Sequence, residues 1–122
     1  MTEELSSHSL HYVVLETVQR RPLLTGDLKP LAEWGIRNLP GRFPGLKVVK
    51  ASVEEGRVQL LLDFQRLDED VMRVLQSFKS EVKNLAKKKG FAEDQLWQWN
   101  YEDHLIDSLE QMQEIEKSFP PA

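Results

Sequence analysis

The chain has 122 residues, of which 40% are hydrophobic and 30% charged, with a formal net charge of −4 and no cysteine. A chain of this length supports one hydrophobic core, and its apolar fraction is too high for an intrinsically disordered protein. The lack of cysteine excludes disulfides, thiolate metal sites and cysteine nucleophiles. The acidic balance is opposite to that of a dedicated nucleic-acid binder, so any DNA contact requires a local basic patch.

The sequence contains no apolar run near the roughly 20 residues that a membrane span needs, so we expect no membrane association. Its N-terminus is acidic and lacks the apolar core of a secretory signal. We therefore expect a cytoplasmic protein. The first residues are polar and serine-rich, which predicts a disordered tail over residues 1–9 and a single domain over residues 10–122.

The ordered part of the sequence opens with a strand and a helix. β-branched and aromatic residues predict a strand over residues 11–18, closed by the break at Pro22. In the helix that follows, Thr25 or Asp27 supplies the N-cap and apolar residues line one side. A group of prolines and glycines from Pro40 onward ends this helix.

The middle of the chain contains a strand pair and a long helix. Two β-rich runs over residues 46–53 and 57–64 are joined by a short acidic turn with a glycine, which predicts an antiparallel hairpin. From Val71, apolar residues recur at i, i+3, i+4, i+7 and i+11, which predicts an amphipathic helix. Gly90 ends it.

The C-terminal part contains a fourth strand and a last helix. Trp97, Trp99 and Tyr101 alternate with polar residues and lead into the strand, and a helix starts near Ser108 and ends before Pro120. The order of elements predicts an α+β fold, namely a ferredoxin-like βαββαβ sandwich with a four-stranded antiparallel sheet and an added C-terminal helix.

Basic residues form the most informative charge pattern. Lys79, Lys83 and Lys87 recur at i, i+4 and i+8 of the second long helix, which predicts one stripe. Such a stripe is either a solvated face or a phosphate-binding ridge. Arg20 and Arg21 would add positive charge, and the tryptophan cluster would add stacking surfaces. The three histidines are too scattered for an obvious metal site.

Three segments carry a resemblance to a known family. Residues 20–26 read RRPLLTG, residues 77–80 read SFKS and residues 96–106 read LWQWNYEDHLI. They are similar to the family patterns RRP-x-LTG, SFKS and LWQ-x-NY-x-DH-I-I. In this order they resemble the single-tyrosine HUH transposases, especially the REP-associated tyrosine transposases and their insertion-sequence relatives. The resemblance extends over about residues 11–119.

The resemblance implies a DNA-binding fold, often dimeric, that cuts single-stranded DNA near hairpins through a transient phosphotyrosine bond. In the family, two histidines on the third strand hold Mg²⁺ or Mn²⁺, and a tyrosine and an asparagine follow in the last helix. The matching positions here are Arg57 and Gln59 for the histidines, Ser118 for the tyrosine and Ala122 for the asparagine. Because a guanidinium cation cannot ligate a metal and an amide is a weak ligand, we expect no metal cofactor and no catalysis.

Three functions follow from these observations. The first is a catalytically inactive, transposase-like domain that binds single-stranded or hairpin DNA. The second is a dimeric interaction or structural protein that has lost DNA binding, which the acidic net charge favours. The third is an active single-strand nuclease with relocated residues, whose activity would depend on Tyr101. A homodimer is expected from the family resemblance. The candidate DNA-binding residues are Arg20, Arg21, Arg57, Lys79, Lys83 and Lys87.

Overall fold

The computed structural model describes residues 10–65 and 67–120. The tail predicted over residues 1–9 and the predicted asparagine position, Ala122, lie outside these residues. The elements follow in chain order as β1 (Leu10–Glu16), a 3₁₀ turn (Val18–Arg20), α1 (Leu28–Arg42), β2 (Lys47–Val53), β3 (Arg57–Asp63), α2 (Val71–Lys88), β4 (Glu102–Leu105) and α3 (Leu109–Ser118).

The strands form one antiparallel sheet in the order β2-β3-β1-β4. β3 pairs along its length with β1, while β4 pairs with the other side of β1 and β2 with the other side of β3. Helices α1 and α2 make the two crossover connections, from β1 to β2 and from β3 to β4. The predicted ferredoxin-like βαββαβ fold with a C-terminal helix is confirmed.

Strand alternation gives the sheet two faces. Val13 and Leu60 belong to the core face, where α1 and α2 pack and a large apolar cluster is buried. Tyr12 and Leu61 belong to the α3 face, where they pack with Phe119 in a smaller buried cluster. None of the helices within residues 10–65 and 67–120 combines the length and apolar character of a membrane span.

A glycine allows α1 and α2 to approach each other closely on the core face. A Cβ atom at Gly35 would lie 3.0 Å from Val82 Cγ2 and 3.1 Å from Phe78 Cε1. A side chain there would require Val82 or Phe78 to shift by a few tenths of an ångström. This contact explains a glycine in the middle of a helix, where it otherwise weakens helix formation.

Two strand boundaries differ from the predictions. β1 ends at Glu16 rather than at residue 18, because the chain turns sharply through Gln19 and Arg20, which have φ angles of 54° and 55°. β4 begins at Glu102, so the aromatic alternation before it is not part of a regular strand. Trp97 instead forms an isolated bridge with Thr17 and is buried.

The helix boundaries agree with the predictions more closely. Ser108 caps α3 by accepting a hydrogen bond from a backbone N–H, and Asp70 caps α2 in the same way. Asp27 occupies the N-cap position of α1 without a side-chain bond. α1 extends through Pro40 to Arg42, because a proline in the last turn removes only one helical hydrogen bond.

Candidate nucleic-acid interface and catalytic positions

Two positions that the sequence assigned to catalysis are in contact in the structure. β3 places Gln59 on the α3 face, where its side chain is fully buried. Its Nε2 donates a hydrogen bond to Tyr12 Oη at 2.5 Å and lies 3.3 Å from both Ser118 Oγ and the Ser118 carbonyl oxygen. Gln59 and Ser118 therefore meet although they are 59 residues apart. We call Tyr12, Gln59 and Ser118 the polar cluster.

The polar cluster is neutral and bonded mainly to itself and to the end of α3. Ser118 Oγ donates to the Ile115 carbonyl oxygen at 2.6 Å and lies 3.4 Å from Tyr12 Oη. The Tyr12 ring meets Phe119 edge-on, with ring centroids 6.0 Å apart. Gln59 Oε1 is buried without a hydrogen-bond partner among the described residues. The cluster thus joins the last turn of α3 to the centre of the sheet.

The residues at the histidine positions do not fit a divalent metal ion. Arg57 donates from Nε to Glu54 Oε1 at 3.1 Å, and its cation would repel Mg²⁺ or Mn²⁺. The single amide oxygen of Gln59 falls short of the several oxygen ligands that these ions require. Within residues 10–65 and 67–120, no group of three or more His, Cys, Asp and Glu side chains is arranged around a common site.

Tyr101, the tyrosine on which relocated catalysis would depend, is only partly exposed. It packs against the apolar cluster of the core face. Burial, together with the carboxylates of Asp103 and Asp70, raises the pKa of the Tyr101 phenol. A raised pKa opposes formation of the phenolate that would attack phosphorus. The environment of Tyr101 therefore does not favour a nucleophile.

The turn after β1 presents Arg20 and Arg21 at the surface. Positive φ angles at Gln19 and Arg20 are unfavourable for residues with a Cβ atom, so neighbouring groups must hold the turn. Thr17 Oγ1 donates to the Arg21 carbonyl oxygen at 2.6 Å. The Arg20 carbonyl oxygen lies so close to Gly56 that a Cβ there would be 2.9 Å away. This strained but well-bonded segment, residues 17–21, is called the arginine turn below.

Both arginines of the arginine turn have carboxylate partners, as Arg57 does. Arg20 Nε lies 2.8 Å from Glu16 Oε2, and Arg21 forms a two-pronged ion pair with Glu93. The hydrogen bond with Glu93 raises the pKa of Arg21, and the same bond lowers the pKa of the Glu93 carboxyl. Exposed ion pairs of this kind are weak, so a phosphate group can replace the carboxylate.

The three lysines of the stripe that the sequence predicts on α2 differ in their exposure. Lys79 is only 7% exposed, and its Nζ donates to the Gln98 carbonyl oxygen at 2.7 Å. Burial lowers the pKa of this lysine. Lys83 is half-buried and Lys87 exposed, and within the described part of the chain neither forms an ion pair. The prediction of one stripe is wrong for Lys79, because the segment before β4 folds back over it.

The same segment exposes an aromatic residue that its sequence pattern did not reveal. Trp97 is buried, donates from Nε1 to the Lys79 carbonyl oxygen at 3.2 Å and packs near Phe78. Trp99, two residues later, is 81% exposed. Regular alternation predicts that both rings share one face of a strand. The chain instead leaves strand geometry after Trp97, which no local sequence signal indicated.

Neither a protein-family model nor a curated protein sequence matches the chain. Its structure is similar to that of a REP-associated tyrosine transposase bound to a REP hairpin, with a TM-score of 0.73 and 13% sequence identity, over 88% of this chain and 61% of that chain. It is also similar to a candidate transposase from Deinococcus radiodurans R1, with a TM-score of 0.68 and 16% identity, over 92% of each chain.

The chain spans about three-fifths of the length of the hairpin-bound transposase and nearly all of the other protein. The four-stranded antiparallel sheet, the two crossover helices and the added helix α3 are the features that the order of elements in the sequence predicted. This chain therefore has a tyrosine-transposase-like fold.

Proposed function

We propose that this chain is a catalytically inactive, transposase-like domain that binds single-stranded or hairpin DNA. The polar cluster is the observation that carries this proposal. Gln59 and Ser118 lie together where the family resemblance implies a metal ligand and a nucleophile. A buried amide bonded to Tyr12 neither holds a metal ion nor acts as a general base, and Ser118 Oγ donates its proton to a backbone carbonyl. The cluster links the end of α3 to the sheet and supplies no catalytic group.

Retained DNA binding is supported by the positions of three arginines. Glu16 is opposite Arg57 in the register of β1 and β3 and also forms the ion pair with Arg20. Arg57 and the arginine turn therefore lie at the same end of the sheet. Arg20 and Arg21 are exposed, and Arg57 is half-buried. Such a patch can bind phosphates locally in spite of the acidic net charge, and its binding should weaken as salt rises. The hairpin-bound transposase of the same fold supports the choice of DNA as the ligand.

Fluorescence anisotropy of a labelled hairpin and an unstructured strand, measured over a salt series, tests the proposed binding. The double variant Arg20→Ala/Arg21→Ala should weaken binding at low salt by about tenfold or more. The slope of the logarithm of the binding constant against the logarithm of the salt concentration should also become less steep by about 1.4, since each lost phosphate contact to a single strand accounts for about 0.7. Arg37→Ala/Arg73→Ala is the matched control, because it removes two arginines that belong to α1 and α2 and not to the arginine turn. Equal losses in both variants would contradict the proposed surface.

The proposed lack of catalysis is tested with the same labelled hairpin. Wild-type protein with Mg²⁺ or Mn²⁺ should give no cleaved strand and no covalent protein–DNA adduct. Metal-dependent cleavage that disappears in Tyr101→Phe would overturn the proposal and establish the relocated nuclease.

The exposed edge strand favours a second candidate function, a dimeric interaction protein. All four residues of β4 are exposed, and within residues 10–65 and 67–120 no strand pairs with the outer edge of β4. Leu105 and Leu109 expose 44% and 74% of their surface beside that edge. Such an edge can pair with a second copy of the chain. A concentration-independent dimer in light scattering, together with no DNA binding at low salt, would support this function over the first.

A further inference from the structure

Trp99 presents a large aromatic surface beside the arginine turn. It is the most exposed large hydrophobic residue of residues 10–65 and 67–120. An exposed indole lowers the solubility of a protein, and Trp99 belongs to neither apolar cluster. Its position in the segment LWQWNY corresponds to the variable residue of the family pattern. The exposed ring is therefore a property of this chain that the general pattern does not explain.

The backbone just before Trp99 is held from three sides. Gln98 N donates to the Glu16 carbonyl oxygen at 2.9 Å, and Gln98 Oε1 accepts from the Gln19 backbone N–H at 2.9 Å. The Gln98 carbonyl oxygen accepts from Lys79 Nζ at 2.7 Å. These bonds join the segment to β1, the arginine turn and α2. Because these bonds already fix the Gln98 backbone, a ligand that contacts the Trp99 ring pays little conformational entropy to order this segment.

The same bonds bring the backbone that carries Trp99 close to the backbone that carries Arg20. Gln98 contacts Gln19, and Trp99 and Arg20 are the residues that follow each of them. The Arg20 side chain is 78% exposed, with Glu16 as its carboxylate partner. An exposed aromatic ring and an exposed guanidinium on adjoining segments are suited to one nucleotide, whose base stacks on the ring while its phosphate contacts the cation. A base within a duplex is already stacked on both sides and cannot use such a ring.

We propose that Trp99 is a base-stacking platform for one unpaired base of a DNA strand whose phosphate binds Arg20. The inference rests on the proposed DNA-binding function and specifies which part of the DNA is recognised. Stacking of one base on an aromatic side chain is worth about 5- to 150-fold in affinity. It releases no counterions, so its loss should leave the salt slope unchanged, in contrast to the loss of Arg20.

Titration of Trp99→Ala and Trp99→Phe with an unstructured strand and with a blunt-ended, fully paired duplex tests this platform. Trp99→Ala should bind the single strand about 5- to 150-fold more weakly with an unchanged salt slope. Trp99→Phe should retain most of the affinity. The preference for the single strand over the fully paired duplex should shrink in Trp99→Ala. Trp34→Ala, which removes a 40% exposed indole from α1, is the matched control and should bind as the wild type does.

Intrinsic fluorescence gives a second readout. The emission of the wild-type protein and of Trp34→Phe should be quenched by the single strand, and that quenching should disappear in Trp99→Phe. If the wild type binds DNA and Trp99→Ala binds equally well, the platform is overturned and the proposed function stands. If the wild type does not bind, both are overturned. A change in oligomeric state with unchanged DNA affinity would assign Trp99 to a protein contact and overturn the platform.

Discussion

The two faces of the sheet differ in what they bury. The core face is apolar throughout and is covered by two long helices, with Phe78 fully buried at their contact. The α3 face has a small apolar cluster and the polar cluster, in which Tyr12 and Gln59 are buried and Ser118 is exposed, and no residue within α3 itself is buried. The core face therefore carries most of the stability of the fold. Substitutions on the α3 face should disturb the scaffold less than substitutions on the core face.

The largest effect is expected on the core face. Phe78→Ala should lower the free energy of unfolding by about 3–5 kcal/mol, because it opens a cavity between α1, α2 and Trp97. Urea denaturation followed by circular dichroism measures this change. Met72→Ala, at a half-exposed position of the same helix, should change the stability by less than about 0.5 kcal/mol. A Phe78→Ala loss below about 1 kcal/mol would contradict the assignment of the main core.

A smaller loss is expected from the corresponding change on the α3 face. Phe119→Ala should cost about 2–3 kcal/mol, below the range for a phenylalanine in a main core, because fewer apolar groups surround it. The loss should be local. Hydrogen exchange should show faster exchange in α3 and unchanged protection in β1 and β3. Equal loss of protection throughout the sheet would indicate that α3 is part of the main cooperative unit.

Lys79 connects the core face to the segment that carries Trp99. Lys79→Met should cost about 1–2 kcal/mol at neutral pH, because the Gln98 carbonyl oxygen loses a charged donor. Burial lowers the pKa of Lys79, so between that value and the unfolded value near 10.5 only the unfolded state holds the proton. Wild-type stability should therefore receive an increasing contribution from Lys79 as pH rises through this alkaline window, and Lys79→Met should lack it. Identical pH profiles would contradict this role.

In the polar cluster, a double substitution should lower the free energy of unfolding less than a single substitution does. Tyr12→Phe should cost about 1–2 kcal/mol, since Gln59 Nε2 then keeps only the two longer contacts to Ser118. The double variant Tyr12→Phe/Gln59→Leu removes both partners and the unbonded Gln59 Oε1, and should remain within about 1 kcal/mol of the wild type. Chemical denaturation of the three proteins measures the difference. A double variant less stable than Tyr12→Phe would show that the cluster contributes net stability.

The smallest effect on stability, with an opposite effect on DNA, is expected at Glu93. Its pKa is lowered by the Arg21 hydrogen bond, so its contribution is present above the unfolded pKa and is lost as pH falls through the lowered folded value. Both side chains are exposed, so Glu93→Gln should leave the melting temperature nearly unchanged. It should increase DNA affinity about two- to fivefold, because Arg21 no longer has a competing carboxylate. Weaker binding would show that Glu93 instead orients Arg21 for its ligand.

Much of the fold was predictable because its signals are local. The spacing of apolar residues from Val71 predicts α2, and Ser108 marks the start of α3. The alternation in β3 also places Arg57 and Gln59 on one face. The contact between Gln59 and Ser118 became predictable only through the family resemblance, since periodicity carries no information on which side α3 packs.

The remaining features depend on contacts between distant segments. Helical spacing predicts that Lys79 shares a stripe with Lys83, yet the return of residues 96–98 over α2 buries Lys79. Strand alternation likewise predicts that the rings of Trp97 and Trp99 lie on the same face. Trp97, however, is buried and forms a backbone bridge with Thr17 of the arginine turn, whereas Trp99 is exposed. Both differences have the same cause. The conformation of the segment before β4 is set by its hydrogen bonds to β1 and α2, which its local sequence pattern does not indicate.

The central claim is that the fold retains DNA binding after loss of the metal-dependent chemistry. Anisotropy of a labelled hairpin with an unpaired end, measured at low and high salt with and without Mn²⁺, tests it most directly. We expect binding that weakens steeply with salt, is unchanged by Mn²⁺ and leaves the strand intact. No binding at low salt, or binding and cleavage that depend on Mn²⁺, would contradict it.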